Sequence, residues 1–196
     1  MHFTSSSIMK TTSRISNRFL KRLFCAVVFC LSSSAYSTSF LDNTVFYRAG
    51  MYYQIDPKLI YAVALAESSY LHGRKSDHLV APHKFALRAN KAYYPKTQED
   101  AESTLKELLA KNDSVDIGIM QINSKWHGKT VKKIEHLLDV EVNVFVGTRI
   151  LVNAINRCPD DLELGVGHYN SWQDDEKARE YGKFVLAIYE RLKNYD

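Results

Sequence analysis

The chain has 196 residues, of which 45% are hydrophobic and 12% aromatic, with 8 glycines and 4 prolines. This composition excludes a disordered or fibrous protein and suits one folded domain with a hydrophobic core. The formal net charge is +4, but residues 1–37 carry five bases and no acid, so residues 38–196 hold 21 bases against 22 acids. Without a basic excess outside the N-terminus, nothing in the sequence indicates nucleic-acid binding.

The N-terminal 37 residues have the pattern of a secretory signal peptide. A basic stretch ends at Arg22, the apolar run 23–31 follows, and small residues occupy most of positions 32–37. The apolar run is too short to span a membrane stably, and no long apolar run follows it. We therefore expect cleavage after Ser37 and export of residues 38–196 to the periplasm, without a stable membrane span. An uncleaved N-terminal anchor is the alternative.

Cysteine usage predicts a domain that folds without disulfides. Cys25 and Cys30 lie in the expected leader, which leaves Cys158 as the single cysteine of residues 38–196. One thiol cannot form an internal disulfide, even in an oxidising compartment. No histidine partner for Cys158 is evident from the sequence, so we expect a buried or half-buried small apolar residue rather than a reactive thiol.

Two helices are predicted at the start of the domain. The first covers residues 46–53. The second begins at Pro57, because Asp56 is a good N-cap and proline suits the first helical position. His72 and Gly73 should end this second helix, with Gly73 as the residue that follows the C-cap.

Glu67 is the unusual residue of the second helix. It shares one helical face with Ile60, Val63, Ala64 and Leu71, which places a carboxyl group on an apolar stripe. Burial and the negative end of the helix dipole both raise the pKa of such a group. A carboxylic acid that stays protonated near neutral pH is what a glycosidase needs as its general acid. The alternative is a glutamate that reaches solvent from the end of the helix.

The hydrophobic period changes after the second helix. Apolar and polar residues alternate over 85–89 and again over 92–94, which predicts a β-hairpin. Thr97 then caps an amphipathic helix that extends to Lys111. The inward face of this helix is formed by Ala101, Leu105, Leu108 and Leu109.

Residues 113–123 predict a short strand or extended turn that bends into a short helix, with a plain strand and turn as the alternative. Gly118 in this stretch allows the close approach of a backbone or a ligand. A polar loop with one tryptophan follows over 123–128. The histidines before it, namely His72, His78 and His83, lack the spacing of metal ligands, so we expect no metal site.

Helices dominate the rest of the chain. A short helix is predicted over 131–138, and the helix over 143–155 is apolar on nearly all sides, so it should be central to the domain, with Gly147 at a close crossing with another helix. A further helix covers 160–168. The last helix begins at Asp174 and has as inward residues Tyr181, Phe184, Val185, Ile188, Tyr189 and Leu192. The expected fold class is therefore α+β, mainly α, with a small antiparallel β element.

Four short motifs in this order support a family resemblance over roughly residues 45–175. They are the Glu-Ser-Ser-Tyr run 67–70, the Gly-Ile-Met-Gln-Ile-Asn run 118–123, Asn143 with Gly147 and Leu151, and the Gly-His-Tyr-Asn-Ser run 167–171. The sequence resembles the lysozyme-like lytic transglycosylases of the soluble-lytic-transglycosylase (SLT) type. The most similar members are those encoded with conjugation and type IV secretion systems.

This resemblance implies a lysozyme-like domain over residues 38–196 that cleaves the β-1,4 bond between MurNAc and GlcNAc in peptidoglycan and forms 1,6-anhydro-MurNAc. It implies Glu67 as the catalytic acid and then base, and no metal or organic cofactor. Substrate-binding residues implied by the motifs are Ser68, Met120, Gln121, Tyr169 and Asn170. Peptidoglycan glycan strands are the implied partner, together with components of a type IV secretion or conjugation system whose passage needs a local opening in the wall.

Two departures from the family pattern leave alternatives open. Asp116 stands where the family often has alanine, and the run 116–124 resembles animal-type lysozymes, in which this aspartate is the second catalytic carboxylate. The protein would then be a hydrolase that uses Glu67 and Asp116. Ser171 and Trp172 replace a usual Ala-Gly pair. A third hypothesis is a non-catalytic glycan-binding assembly factor; Trp126 and Trp172 either stack on sugars or belong to the core.

Overall fold

The computed structural model of the protein describes residues 39–69 and 81–195. This part of the chain is mainly helical, with one small antiparallel sheet. Its α-helices are α1 (Val45–Tyr53), α2 (Pro57–Ser68), α3 (Gln98–Leu109), α4 (Ser124–His127), α5 (Val140–Asn156), α6 (Leu162–Gly167) and α7 (Asp175–Lys193). Its strands are β1 (Leu87–Arg88), β2 (Ala92–Tyr93), β3 (Asp116–Ile117) and β4 (Ile122–Asn123). The expected α+β, mainly α class is confirmed.

Side-chain caps fix the helix starts where the sequence predicts them. The Asp56 carboxylate accepts a hydrogen bond from the Lys58 amide at 2.8 Å, with Pro57 in the first turn of α2. Thr97 caps α3, and Asp174 caps α7 by accepting from backbone amides in the first turn. Such caps satisfy amide groups that have no partner within the helix.

Helix ends depart from the sequence expectation. α2 ends at Ser68, with Ser69 as its C-cap, so the helix does not continue to His72 and Gly73. Those two residues, Leu71 and the predicted signal peptide over 1–37 lie outside the described residues. The short helix predicted over 131–138 is present in part, as a 3₁₀ helix over Ile134–Leu138.

The sheet has the strand order β2-β1-β3-β4, and every neighbouring pair is antiparallel. The pairing of β1 with β2 confirms the predicted hairpin. A second hairpin joins β3 to β4 through the four residues 118–121, which we call the β3–β4 turn; it is closed by a hydrogen bond from the Gln121 amide to the Gly118 carbonyl at 3.0 Å. Gly118 has φ of +78°, a conformation that side chains with a Cβ rarely adopt.

Asn143 of α5 holds the β3–β4 turn in place. Its buried amide group donates to the Ile117 carbonyl at 2.8 Å and to the Leu137 carbonyl at 2.7 Å, and its Oδ1 accepts from the Met120 amide at 2.8 Å. A Cβ on Gly118 would lie 2.3 Å from Asn143 Nδ2. The close approach of Gly118 is therefore to a side chain of the central helix.

The central position of α5 also agrees with the sequence, but the role expected of Gly147 is wrong. A Cβ at this glycine would lie 2.7 Å from the Cβ of Met120, so Gly147 makes room for the β3–β4 turn and not for another helix. The inward position expected of Phe184 is wrong as well, since 56% of this residue is exposed. The largest fully buried side chains of the core are those of Ile60, Val63, Leu87, Leu105, Val115, Ile117, Met120, Ile122, Leu137, Leu138, Val144 and Leu151.

A substitution at Asn143 tests this arrangement. Asn143→Leu keeps the size of the side chain but leaves one buried amide and two buried carbonyls without this partner, at about 1–3 kcal/mol for each unsatisfied group. We expect a decrease of at least about 3 kcal/mol in the free energy of unfolding, measured by urea denaturation and circular dichroism. Asn156→Leu, at an exposed position of the same helix, is the control. Equal stability of the two variants would contradict the role given to Asn143.

Candidate active site

An open cleft of about 900 Å³ runs along the face where the sheet meets α5. Its wall contains residues from the end of α2, from β1, β3 and β4, from α4, from α5 and from the segment 168–172. Glu67 and Asp116 both face this cleft. The fold therefore brings together two carboxyl groups that are far apart in the sequence.

Glu67 lies in the last turn of α2 and is buried, with 8% of the residue exposed. Burial raises its pKa to about 7, and the nearby Asp116 charge adds to the increase. Three groups act in the opposite direction: the Tyr181 hydroxyl, the Arg88 guanidinium and the Asn170 side chain. Because the cost of burying a charge exceeds what these partners return, a large share of Glu67 is protonated near neutral pH.

Tyr181 of α7 is the contact that sequence reasoning missed. Its hydroxyl donates to Glu67 Oε1 at 2.6 Å. Burial, together with the Glu67 charge, raises the pKa of Tyr181 well above its ordinary value, so the phenol keeps its proton and remains a donor. The sequence places Tyr181 among the inward residues of the last helix. The available signal was its hydroxyl, since a buried tyrosine needs a hydrogen-bond partner.

Asp116 is half-buried on β3, directly opposite Arg88 of β1. Its Oδ1 accepts from Asn123 Nδ2 at 2.7 Å, and Asn123 Nδ2 also donates to Ser114 Oγ at 2.8 Å. Burial raises the pKa of Asp116, while Asn123 and Arg88 favour the charged form. Asp116 is thus held in one orientation on the cleft wall, with a cation across the strand pair.

Tyr169, Asn170 and Gln121 all reach the cleft wall. The Tyr169 hydroxyl donates to the Met120 carbonyl at 2.7 Å, which fixes the ring beside Glu67. Burial and the charges of Glu67 and Asp116 raise the pKa of Tyr169 well above its ordinary value. Gln121 donates to the carbonyls of Ala86 at 3.0 Å and Gly118 at 2.9 Å, so its amide nitrogen braces the β3–β4 turn.

Ser68 and Met120, which the sequence predicts to bind substrate, do not line the cleft. Both side chains are buried, and neither contributes to the lining. Ser68 Oγ instead donates to the Ile119 carbonyl at 2.8 Å, and the Met120 side chain packs on Gly147. These contacts hold the β3–β4 turn between α2 and α5, so Ser68 and Met120 support the cleft wall from behind.

Trp126 and Trp172 are not core residues. They are 63% and 55% exposed, and both line the cleft. Their rings meet edge to face, with centroids 6.3 Å apart. An exposed pair of indole rings on a cleft wall offers flat apolar faces of the kind that bind sugar rings.

Cys158 has a histidine partner in the structure, which the sequence did not reveal. The thiol is half-buried, as expected, and its Sγ lies 3.5 Å from His168 Nδ1. The other ring nitrogen of His168 lies 2.9 Å from Asp175 Oδ1. His168 lines the cleft but Cys158 does not. The imidazole is therefore fixed from both sides, immediately before Tyr169 and Asn170 in the chain.

Over 39–69 and 81–195, no cluster of three or more histidine, cysteine, aspartate or glutamate side chains is arranged to hold a metal ion. Within the same ranges, no helix combines the length and the apolar character needed to cross a membrane.

Comparisons with known proteins agree with this geometry. The family model described as "Transglycosylase SLT domain" matches residues 44–183, which includes every cleft residue discussed above. A protein of Escherichia coli O157:H7 described as "Peptidoglycan-binding-like protein" is 30% identical over 179 residues, a match that covers 86% of this chain and 90% of that protein. No solved structure matches the chain. Since the family match covers well over half of the sequence, the chain belongs to the transglycosylase SLT domain family, whose members are peptidoglycan lytic transglycosylases.

Proposed function

We propose that the protein is a lytic transglycosylase that cleaves the β-1,4 MurNAc-GlcNAc bond of peptidoglycan and leaves 1,6-anhydro-MurNAc ends. The observation that carries this proposal is Glu67: a buried carboxyl group that faces the cleft and has a pKa of about 7. Membership of the SLT family supplies the substrate class. In this proposal Glu67 is the single catalytic acid and base.

In the first step, Glu67 donates its proton to the glycosidic oxygen while the bond from that oxygen to C1 of MurNAc breaks. Positive charge develops at C1, as in other glycosidase reactions. A pKa of about 7 suits the donor, because the protonated form is present at neutral pH and the proton is still readily lost. The hydrogen bonds from Tyr181 and Asn170 then stabilise the resulting carboxylate.

In the second step, the 6-hydroxyl of the same MurNAc attacks C1, and the Glu67 carboxylate accepts the hydroxyl proton. The new O6–C1 bond replaces the broken one, no water is consumed, and Glu67 returns to its protonated form. A second carboxylate is unnecessary because the nucleophile is intramolecular and already close to C1. The family resemblance adds assistance by the N-acetyl group, with Tyr169 placed to hold it.

The second candidate is a lysozyme-like hydrolase, and the position of Asp116 favours it. Asp116 lines the same cleft and affects the pKa of Glu67, so a substrate near one would lie near the other. In that reaction Asp116 would act as nucleophile or as charge stabiliser, and water would complete the cleavage. Against this role, burial raises the pKa of Asp116, and Asn123 already occupies Oδ1.

An extracytoplasmic place of action follows from the peptidoglycan substrate of the family. We propose that residues 1–37 are a signal peptide cleaved after Ser37 and that the enzyme works in the periplasm. The resemblance to conjugation-associated members suggests a local opening of the wall for a secretion or conjugation apparatus. The description of the Escherichia coli relative as a peptidoglycan-binding-like protein fits both an enzyme and a glycan-binding assembly factor.

Glu67→Gln distinguishes the enzyme from the assembly factor. The amide keeps the size of the side chain but cannot donate a proton as an acid, so we expect cleavage to fall by at least about 10²-fold. Zymography on cell walls measures the activity, and circular dichroism checks the fold. Glu107→Gln, at an exposed position of α3, is the control and should keep full activity. A folded Glu67→Gln protein that still cleaves cell walls would contradict the role of Glu67.

The pH profile tests the environment of Glu67. The reaction starts from the protonated acid, so activity should decrease as pH rises through about 7. Tyr181→Phe removes a hydrogen bond that favours the carboxylate, which raises the pKa further and moves this alkaline decrease to higher pH. Tyr189→Phe is the matched control. Tyr189 lies on the same helix as Tyr181, and its hydroxyl donates to Asp56 instead of Glu67. An alkaline limb that stays in place, or moves to lower pH, would count against Glu67 as the acid.

Asp116→Asn separates the two enzymatic mechanisms. In the lyase Asp116 has a supporting role, so we expect a modest loss of rate, below about tenfold, and products that still carry 1,6-anhydro ends. Chromatography and mass spectrometry of the released muropeptides identify those ends. If the wild-type protein yields reducing ends and Asp116→Asn is inactive, the hydrolase mechanism is correct and the lyase mechanism is wrong.

A further inference from the structure

A row of polar residues follows the cleft along α5. Arg149, Asn153 and Arg157 are spaced four residues apart, and Arg157 is the C-cap of the helix. All three are exposed and line the cleft. Residues four apart lie on one helical face, so this row, which we call the arginine stripe, extends over about 12 Å.

The two guanidinium groups of the arginine stripe have no carboxylate partner among residues 39–69 and 81–195. Two other surface arginines, Arg48 and Arg179, differ in this respect. Arg48 lies 2.9 Å from Glu141, and Arg179 lies 2.7 Å from Asp161. Arg149 and Arg157 thus leave their positive charge available to a ligand.

The remaining charges of the cleft do not cancel the stripe. The two carboxyl groups of the cleft, Glu67 and Asp116, both lie near Arg88, whose positive charge partly offsets the rise in their pKa values. Burial and the nearby Arg149 charge both lower the pKa of His127, which favours the neutral imidazole near pH 7. Residues 38–196 carry 21 bases and 22 acids, so the positive stripe is a local feature of the cleft.

The chemistry of peptidoglycan offers one anionic group that matches this stripe. Its glycan backbone of N-acetylated sugars is uncharged, and the carboxylates belong to the stem peptides attached to the lactyl group of MurNAc. Guanidinium groups bind carboxylates with paired, charge-assisted hydrogen bonds. We propose that Arg149 and Arg157 form a subsite for the stem-peptide carboxylates of the strand held in the cleft.

This inference rests on the proposed function for its choice of ligand, and it assigns the two sides of the cleft to two parts of the substrate. The glycan would lie along Glu67, Trp126 and Trp172, where the wall offers an acid and two exposed indole rings. The stem peptide would follow α5. Exposed ion pairs contribute modestly, so the two arginines together should change affinity by about tenfold.

The test compares two forms of one ligand. Soluble uncross-linked glycan strands, free of teichoic acid and labelled with a fluorophore, are used with their stem peptides and after enzymatic removal of those peptides. Dissociation constants are measured by fluorescence anisotropy in a Glu67→Gln background, so that strands are not cleaved. The test variant carries Arg149→Gln and Arg157→Gln. The matched control carries Lys183→Gln and Arg191→Gln, two exposed residues of α7 outside the cleft lining.

We expect the Arg149→Gln/Arg157→Gln protein to bind stem-bearing strands about tenfold more weakly and peptide-free strands equally well. The control should match the parent protein on both ligands. The preference for stem-bearing strands should shrink as salt is raised from about 0.05 M to about 0.5 M, because salt screens exposed charges. A protein with both arginines changed to lysine should recover part of the affinity, because lysine keeps the charge but not the paired hydrogen bonds of the guanidinium group.

Two results would overturn the subsite. Equal weakening on both ligands would mean that the arginines contact the glycan or support the fold, and circular dichroism would identify the second case. Unchanged binding to stem-bearing strands would mean that the arginines have no role. The proposed function fails separately: if wild-type protein releases no 1,6-anhydro ends but keeps arginine-dependent binding, the lyase is wrong and the subsite stands. Anhydro ends without any stem preference would remove the subsite alone.

Discussion

The hydrogen bonds of Asn143 are the constraint on which the cleft depends. They fix the β3–β4 turn against α5, and the carbonyls of this turn then position the catalytic wall. The Ile119 carbonyl accepts from Ser68, the neighbour of Glu67, and the Met120 carbonyl accepts from Tyr169. One buried amide therefore links α2, the sheet, α5 and the segment after α6, which supply the groups around the cleft. This explains why Ser68 and Met120 lie behind the wall: their polar groups are already used to build it.

Burial of Glu67 lowers the stability of the fold at neutral pH, and the same burial raises the pKa of the catalytic acid. A carboxyl group with an ordinary pKa of 4.5 in the unfolded chain and about 7 in the fold binds its proton more tightly when folded. The stabilising effect of that proton is complete below the unfolded pKa and is lost as pH rises through the folded pKa, by on the order of 3 kcal/mol. The Tyr181, Arg88 and Asn170 contacts offset part of the desolvation cost. The fold is thus less stable near neutral pH than it would be without this buried acid, a cost that functional sites commonly carry.

The sequence predicted those features that depend on neighbouring residues. The caps at Asp56, Thr97 and Asp174 and the apolar stripe that buries Glu67 are local patterns, and the structure contains them. Tyr181 is different: it lies 114 residues from Glu67, so no local period could assign its hydroxyl to that carboxylate. The end of α2 was predicted too late for a related reason. The sequence places it at Gly73, but the helix ends at Ser68, and Ser69 forms a β-bridge with Pro82. This pairing is tertiary, so the local glycine signal could not reveal it.

The separation of charges across the cleft follows from the demands on Glu67. A cation close to a carboxyl group lowers its pKa, and Arg88 already does so. Further arginines at that position would reduce the protonated fraction on which acid catalysis depends. Arg149 lies instead where its charge acts on His127 and Tyr53. In the proposed subsite, a ligand carboxylate would be neutralised by the Arg149 guanidinium. Attraction of an anionic substrate and the raised pKa of the acid are therefore compatible, because neither Arg149 nor Arg157 is among the groups that shift the pKa of Glu67.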